Sequence, residues 1–169
     1  KLGKNYNVHV VGVPEDEEEK PFQFTLERTQ TTNNQLFVRD YCNDRKEMKR
    51  IICEADLVVM PSRAEAFGLI GLEALSAGVP LLVSAASGLG MTLRKLNFGE
   101  ICVVESDDPK ELAKMIKSVK ERKRSQRIEL MKHIRNEYEE KYKWEDQCSR
   151  LVTLFRDGRE DKQSKGTTN

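Results

Sequence analysis

The sequence predicts an α/β fold: a parallel sheet of about five strands with helices on both faces, in three layers. Two observations predict this class and its organisation as a single domain. Short runs rich in valine, leucine and isoleucine alternate with longer segments whose apolar residues recur at helical spacing. The length of 169 residues suits one such domain, with a core that can fold alone.

The first half of the chain reads as strands separated by turns and one clear helix. Residues 6–13 form a β-rich run that ends in Gly-Val-Pro, and residues 35–41 form a second strand. The residues between them begin with an acidic loop and then favour a helix. Met48, Ile51, Ile52 and Ala55 recur at the spacing of one helix face, so a helix precedes a third strand at 55–60.

The second half continues the alternation. Residues 61–80 predict a loop and a helix, and strands follow at 79–84 and 99–104. Asp108, Pro109 and Glu111 have the order of an N-cap, a first-turn proline and a capping-box partner. A helix is therefore expected to start there.

Two further helices are expected at the carboxyl-terminal end. One carries Ile128, Met131, Ile134 and Tyr138, and the other runs from Trp144 to Phe155. Trp144 and Phe155 are interpreted as core residues. The chain is thus predicted to form a single domain over residues 1–156, with a disordered tail at 157–169 that has no apolar periodicity.

The amino-acid composition limits the classes of partner and the cellular location that are expected for this chain. The formal net charge is +1, so no global field favours nucleic acid. The four cysteines are widely spaced, which argues against a disulfide framework or a zinc site and favours a reducing, cytoplasmic location. No stretch approaches the length of a membrane span. Because the chain starts at Lys1, we expect other domains in a larger parent polypeptide.

The segment from Glu65 to Glu73 carries the strongest functional pattern. Gly68 removes a side chain where the chain turns into a helix, which leaves backbone amides open to an anion such as a pyrophosphate. Glu73 lies about 6 Å further along the helix, where a carboxylate can accept hydrogen bonds from a ribose diol. Glu65 precedes the helix. Acceptors at both ends and donors between them suit a nucleotide-sugar.

This pattern resembles the glutamate-x7-glutamate motif of the retaining, group 1 glycosyltransferases of the GT-B architecture. The strand into Pro61-Ser62, the Ala77-Gly78-x-Pro80 turn and the glycine-rich turn at Gly88-Leu89-Gly90 fit the family as well. The resemblance covers residues 35 to 120 and implies that the chain is a truncated, Rossmann-like second lobe, which binds the donor.

The resemblance also implies roles for individual residues. Glu65 is the catalytic candidate beside the transferred sugar, and Glu73 binds the donor ribose. The donor's sugar and phosphates lie between them, along the loop residues Phe67, Gly68 and Leu69, and the nucleobase lies near Val38 and Arg39. The family needs no metal, so no metal or other cofactor is expected.

Several departures from the family bear on activity. The resemblance implies an acceptor-binding lobe, and a first strand–helix unit with a basic pair that neutralises the diphosphate; neither is recognised in these residues. Arg39 and Asp40 replace a usual glycine, and the turn after Gly88 lacks a usual acid. Arg63 or Arg94 could supply positive charge instead.

Two functions follow from these features. The first is a glycosyltransferase-like domain that binds a nucleotide-sugar donor, or its nucleotide diphosphate, without transferring sugar by itself. The second is a degenerate interaction or sensing module within a larger multidomain protein. Gly88 and Gly90 also resemble the start of a dinucleotide fingerprint, but Leu93 stands at the third glycine, so NAD is not expected.

Overall fold

The computed structural model describes residues 6–13, 35–40, 42–62 and 65–164. Strands and helices alternate along these ranges. The strands are β1 (Val8–Val13), β2 (Leu36–Asp40), β3 (Val58–Met60), β4 (Leu81–Ser84) and β5 (Val103–Val104). The helices are α1 (Arg45–Glu54), α2 (Leu69–Ser76), α3 (Gly88–Leu93), α4 (Pro109–Glu121), α5 (Arg124–Lys141) and α6 (Trp144–Ser164).

All described strands pair in parallel, which confirms the α/β class. They form two hydrogen-bonded groups: β1 pairs with β2, and β4 lies between β3 and β5. Residues 14–34, where the sequence favours a helix after an acidic loop, lie outside the described ranges.

Helices cover both faces of the three-stranded group. On one face, α2, α3 and α5 enclose a core that includes Leu75, Leu89 and Ile134. On the other face, Val119 of α4 packs with Leu82 and Val104. The strand β4 is buried along its whole length, as expected of a central strand of a parallel sheet.

The prediction of a strand at residues 99–104 is wrong for four of these six residues. Residues Gly99–Cys102 form a 3-10 turn, and only Val103 and Val104 pair with β4. Phe98 adopts a left-handed conformation with φ of 61°, which directs the chain away from an extended path. The turn then packs Gly99 closely against the end of α3.

The helix caps follow the sequence pattern closely. Asp108 accepts a hydrogen bond from the Lys110 amide at 2.9 Å, and Pro109 is the first helical residue of α4. Glu111 does not close a capping box within the described part of the chain. Its carboxylate instead accepts from Lys114 Nζ at 2.6 Å, and this hydrogen bond raises the pKa of Lys114.

The interpretation of Trp144 and Phe155 as core residues is wrong. Both lie on α6, and their side chains are 76% and 65% exposed. The apolar periodicity correctly predicts the helix, but none of the described elements covers its apolar face. The helix continues to Ser164, and the domain boundary at residue 156 stays a prediction.

Candidate functional site

The candidate site lies where β3 and β4 end. The loop after β3 leads through Glu65 and Phe67 into α2, while a short turn after β4 leads into α3. Because parallel strands point the same way, both helices start at the carboxyl edge of the sheet. Ligands of open α/β sheets bind at this edge.

The start of α2 has no side-chain cap. Its N-cap is Gly68, in a left-handed conformation with φ of 103° that a side chain would strain. By contrast, α1, α3 and α4 are capped by Asp44, Ser87 and Asp108. The first amides of a helix have no partner within the helix, and no described residue accepts a hydrogen bond from the amides of Leu69 and Ile70 in α2.

The loop before α2 is held in place by close backbone contacts. Leu89 donates its amide to the Phe67 carbonyl at 2.7 Å, and the Phe67 ring packs partly against the core. A side chain at Gly88 would come within 2.5 Å of the Ala66 carbonyl oxygen. The glycine at this position therefore serves packing, which explains the partial dinucleotide pattern without a dinucleotide.

The helix α2 presents one face to the core and one to solvent. Gly71, Ala74 and Leu75 are buried, and the Cβ of an alanine at Gly71 would lie 2.7 Å from a Leu89 methyl. Leu69 is 66% exposed, and Glu73 lies four residues later on the same exposed face. The Glu73 carboxylate is thus outside the core, beyond the uncapped amides.

The structure brings together five of the seven predicted site residues. Glu65, Phe67, Gly68, Leu69 and Glu73 all belong to the loop before α2 or to its first two turns. Glu65 is half-buried, and its Cγ is 3.6 Å from the Cβ position of an alanine built at Gly68. Neither Glu65 nor Glu73 forms an ion pair with a described residue.

The other two predicted residues, Val38 and Arg39, lie near the end of β2 in the two-stranded group. Arg39 Nη1 lies 3.5 Å from a carboxylate oxygen of Glu47 in α1. A hydrogen bond from Arg50, reinforced by the charge of Arg39, lowers the pKa of Glu47. The guanidinium of Arg39 therefore already forms an ion pair with the Glu47 carboxylate.

Sequence reasoning found the glycine-rich turn after β4 but missed that a helix, α3, begins there with Ser87 as its cap. Ser87 is 3% exposed, donates its hydroxyl to the Ser84 carbonyl at 2.8 Å, and accepts from the Gly90 amide at 3.0 Å. The order of a serine before a glycine-rich helix start was the available signal. Arg94, a candidate cation for the site, forms an ion pair with Glu105, while Arg63 lies outside the described ranges.

Comparison with known proteins places this geometry in context. Residues 1–151 match the family described as "Family 4 Glycosyltransferase in conflict systems". The chain is 32% identical over 105 residues to D-inositol 3-phosphate glycosyltransferase 1 of Catenulispora acidiphila, which covers 60% of this chain and 23% of that protein. It is 38% identical over 76 residues to glycogen synthase of Mycobacterium tuberculosis, covering 45% of this chain and 18% of that protein.

The fold is shared with a solved protein as well. Anabaena Alr3699/HepE in complex with UDP-glucose superposes with a TM-score of 0.64 at 20% identity, over 94% of this chain and 41% of that chain. The chain thus spans about a quarter of the D-inositol 3-phosphate glycosyltransferase and two fifths of the solved structure. None of the described helices is long and apolar enough to cross a membrane.

Proposed function

This chain belongs to the family 4 glycosyltransferases in conflict systems, and on that premise we propose that it binds the donor nucleotide-sugar, or its nucleotide diphosphate, at the start of α2. The observation that carries the proposal is the uncapped helix start at Gly68. No described residue accepts a hydrogen bond from the amides of Leu69 and Ile70, so they offer donors there, and the helix dipole favours an anion. HepE, which shares the fold, was crystallised with UDP-glucose.

The exposed face of α2 then sets the orientation of the ligand. With the diphosphate at the amides, Glu73 lies about 6 Å along the helix axis, within reach of a ribose. A carboxylate accepts hydrogen bonds from both hydroxyls of a ribose, and such charge-assisted bonds are stronger than neutral ones. Glu65, in the loop before the helix, is assigned to the transferred sugar.

Isothermal titration calorimetry with UDP, GDP, ADP and their glucose conjugates tests the proposal. We expect saturable binding of at least one of them, with the same affinity in EDTA because no metal is invoked. Replacing Glu73 with glutamine should weaken that binding about tenfold, the effect of losing a charged hydrogen bond. The Glu100→Gln variant alters another exposed carboxylate, on the 3-10 turn, and should bind like the parent chain. No saturation at millimolar concentration would refute the proposal.

A second candidate is binding without transfer, in a sensing or interaction module. A departing diphosphate needs positive charge to stabilise it. Arg39 and Arg94 could supply that charge, but they already form ion pairs with Glu47 and Glu105, which favours this second candidate. Sugar transfer by the full parent protein that is abolished by Glu65→Gln would exclude this candidate.

A further inference from the structure

The carboxyl-terminal end of α2 is fully hydrogen-bonded, in contrast to its start. The last carbonyls of a helix have no partner within the helix, so other groups must satisfy them. In α2, three of the last four carbonyls accept from backbone amides of the turn that follows. These bonds join Ala77 to Glu73 at 2.9 Å, Val79 to Ala74 at 2.9 Å and Gly78 to Leu75 at 3.0 Å.

The carbonyl of Ser76, the last residue of α2, accepts instead from a distant helix. Arg135 of α5 donates from Nη1 to this oxygen at 3.3 Å, across 59 positions of the chain. Arg135 Nε is buried, has no hydrogen-bond partner in the described part of the chain, and lies 3.9 Å from a carboxylate oxygen of Glu139. A confined cation thus completes the carbonyl end of α2.

The helix α5 also holds the segment that follows α3. Its Glu137 carboxylate accepts from the backbone amide of Asn97 at 2.9 Å and from the side-chain amide at 3.1 Å. Lys141 of α5 donates to the Lys95 carbonyl. Ile134 is buried in the core between these polar contacts. The helix α5 is therefore a base to which the ends of both helices at the site are attached.

These attachments bear on the start of α2. The loop before α2 is fixed by the bond from the Leu89 amide to the Phe67 carbonyl, at 2.7 Å. The helix itself has eight residues, so its start lies only about 12 Å from the end that Arg135 holds. A short helix moves as a rigid unit, and a displacement of about 1 Å in a binding group is enough to weaken its interactions.

We propose that Arg135 is a positioning residue for the donor site, an inference that rests on the proposed function. By holding the Ser76 carbonyl, it keeps α2 in the place where the amides of Leu69 and Ile70 meet the diphosphate. A cation is favoured at the negative end of a helix dipole, just as an anion is favoured at the positive end. The planar guanidinium also fixes the direction of the bond better than an ammonium does. Arg135 acts from the far end of α2 and does not touch the ligand.

The proposal is tested by measuring the affinity of the full chain for UDP by calorimetry. Arg135→Met keeps an apolar stem of similar length but removes the charge and the hydrogen bond. We expect its affinity to be about three- to tenfold weaker. Its stability in urea should change little, because Ser76 is exposed and water can replace the lost donor. Arg135→Lys keeps the charge and should recover most of the affinity.

Two control variants separate positioning from charge and from stability. Lys132→Met removes the same charge one turn earlier on α5, at an exposed residue that forms no ion pair with a described residue. Val119→Ala should lower stability, because Val119 is buried in α4 with Leu82 and Val104, on the other face of the sheet from α2. Both should bind UDP like the parent chain at a temperature where all variants are folded.

A measurement without ligand completes the test. In NMR spectra of the ligand-free chain, Arg135→Met should shift the amide signals of Leu69 and Ile70, whereas Lys132→Met should not. Shifts confined to α5 and the end of α2 would show that the start of the helix does not respond.

The outcomes distinguish this inference from the proposed function. Binding of UDP by the parent chain with equal affinity in Arg135→Met would refute the inference and leave the proposed function intact. An equal loss of affinity in Lys132→Met would identify charge alone as the cause, and an equal loss in Val119→Ala would identify lowered stability; either would refute a positioning role. Absence of UDP binding by the parent chain would refute the proposed function and this inference with it.

Discussion

At the residue scale, substitutions at Gly68 and Gly78 distinguish an effect of backbone strain from an effect on ligand binding. Both have positive φ, 103° and 72°, and an added Cβ makes no contact shorter than 3.5 Å at either. Alanine at each should therefore destabilise the fold by a similar amount, about 1–2 kcal/mol, through the left-handed conformation. Urea unfolding of the two variants measures this cost.

Binding should distinguish the same two variants. Gly68 is the N-cap of α2, so its replacement should weaken UDP binding, whereas Gly78 follows the other end of the helix. Equal affinity for UDP in both variants, at temperatures where both are folded, would show that the backbone at Gly68 plays no part in the site.

The cysteines should differ in reactivity according to burial. Cys102 is 1% exposed, and burial raises the pKa of its thiol from 9.0 to about 12. Since the thiolate is the reactive form, Cys102 should stay unlabelled by a thiol reagent at pH 8 in the folded chain. Cys53 is exposed and should label first. Mass spectrometry of the labelled peptides checks the order, and rapid native labelling of Cys102 would contradict the core as described.

The same pKa shift has a consequence for stability. A thiol that stays protonated in the folded state while the unfolded thiol ionises favours unfolding as pH rises. Its stabilising contribution is therefore present below about pH 9 and is lost progressively towards pH 12. The Cys102→Ala variant should show a shallower loss of stability over that range in urea unfolding.

At the element scale, α5 and α6 should contribute unequally to stability. Ile134 of α5 is fully buried, so Ile134→Ala should cost about 2–5 kcal/mol. Phe155 of α6 is 65% exposed, and Phe155→Ala should change stability by no more than about 0.5 kcal/mol. A large loss in the Phe155 variant would mean that the helix packs against the domain in solution.

The contrast between these helices also shows what a sequence can predict. Asp108 and Pro109 determine where α4 starts through bonds to their immediate neighbours, so local reasoning found that boundary. The periodicity of α6 predicted a helix but not what covers it, because that depends on elements far away in the sequence. The prediction of a strand at 99–104 was wrong for a similar reason, since the contact of Gly99 with α3 is a tertiary one.

At the scale of the whole molecule, the predicted site residues of the loop and of α2 lie at the carboxyl edge of the sheet. The loop before α2 was predicted from Glu65, Gly68 and Glu73, and the structure groups these residues at one helix start. The pairing of the described strands, β1 with β2 and β4 between β3 and β5, could not be predicted, because strand order is not written in local periodicity.

The central claim is that the backbone amides at the start of α2 bind a nucleotide diphosphate. Titration of the isotopically labelled chain with UDP, followed by amide chemical shifts in NMR, tests it most directly. We predict saturable shifts concentrated at Gly68, Leu69 and Ile70, with smaller changes near Glu73. Shifts confined to other elements, or none at millimolar UDP, would contradict the account.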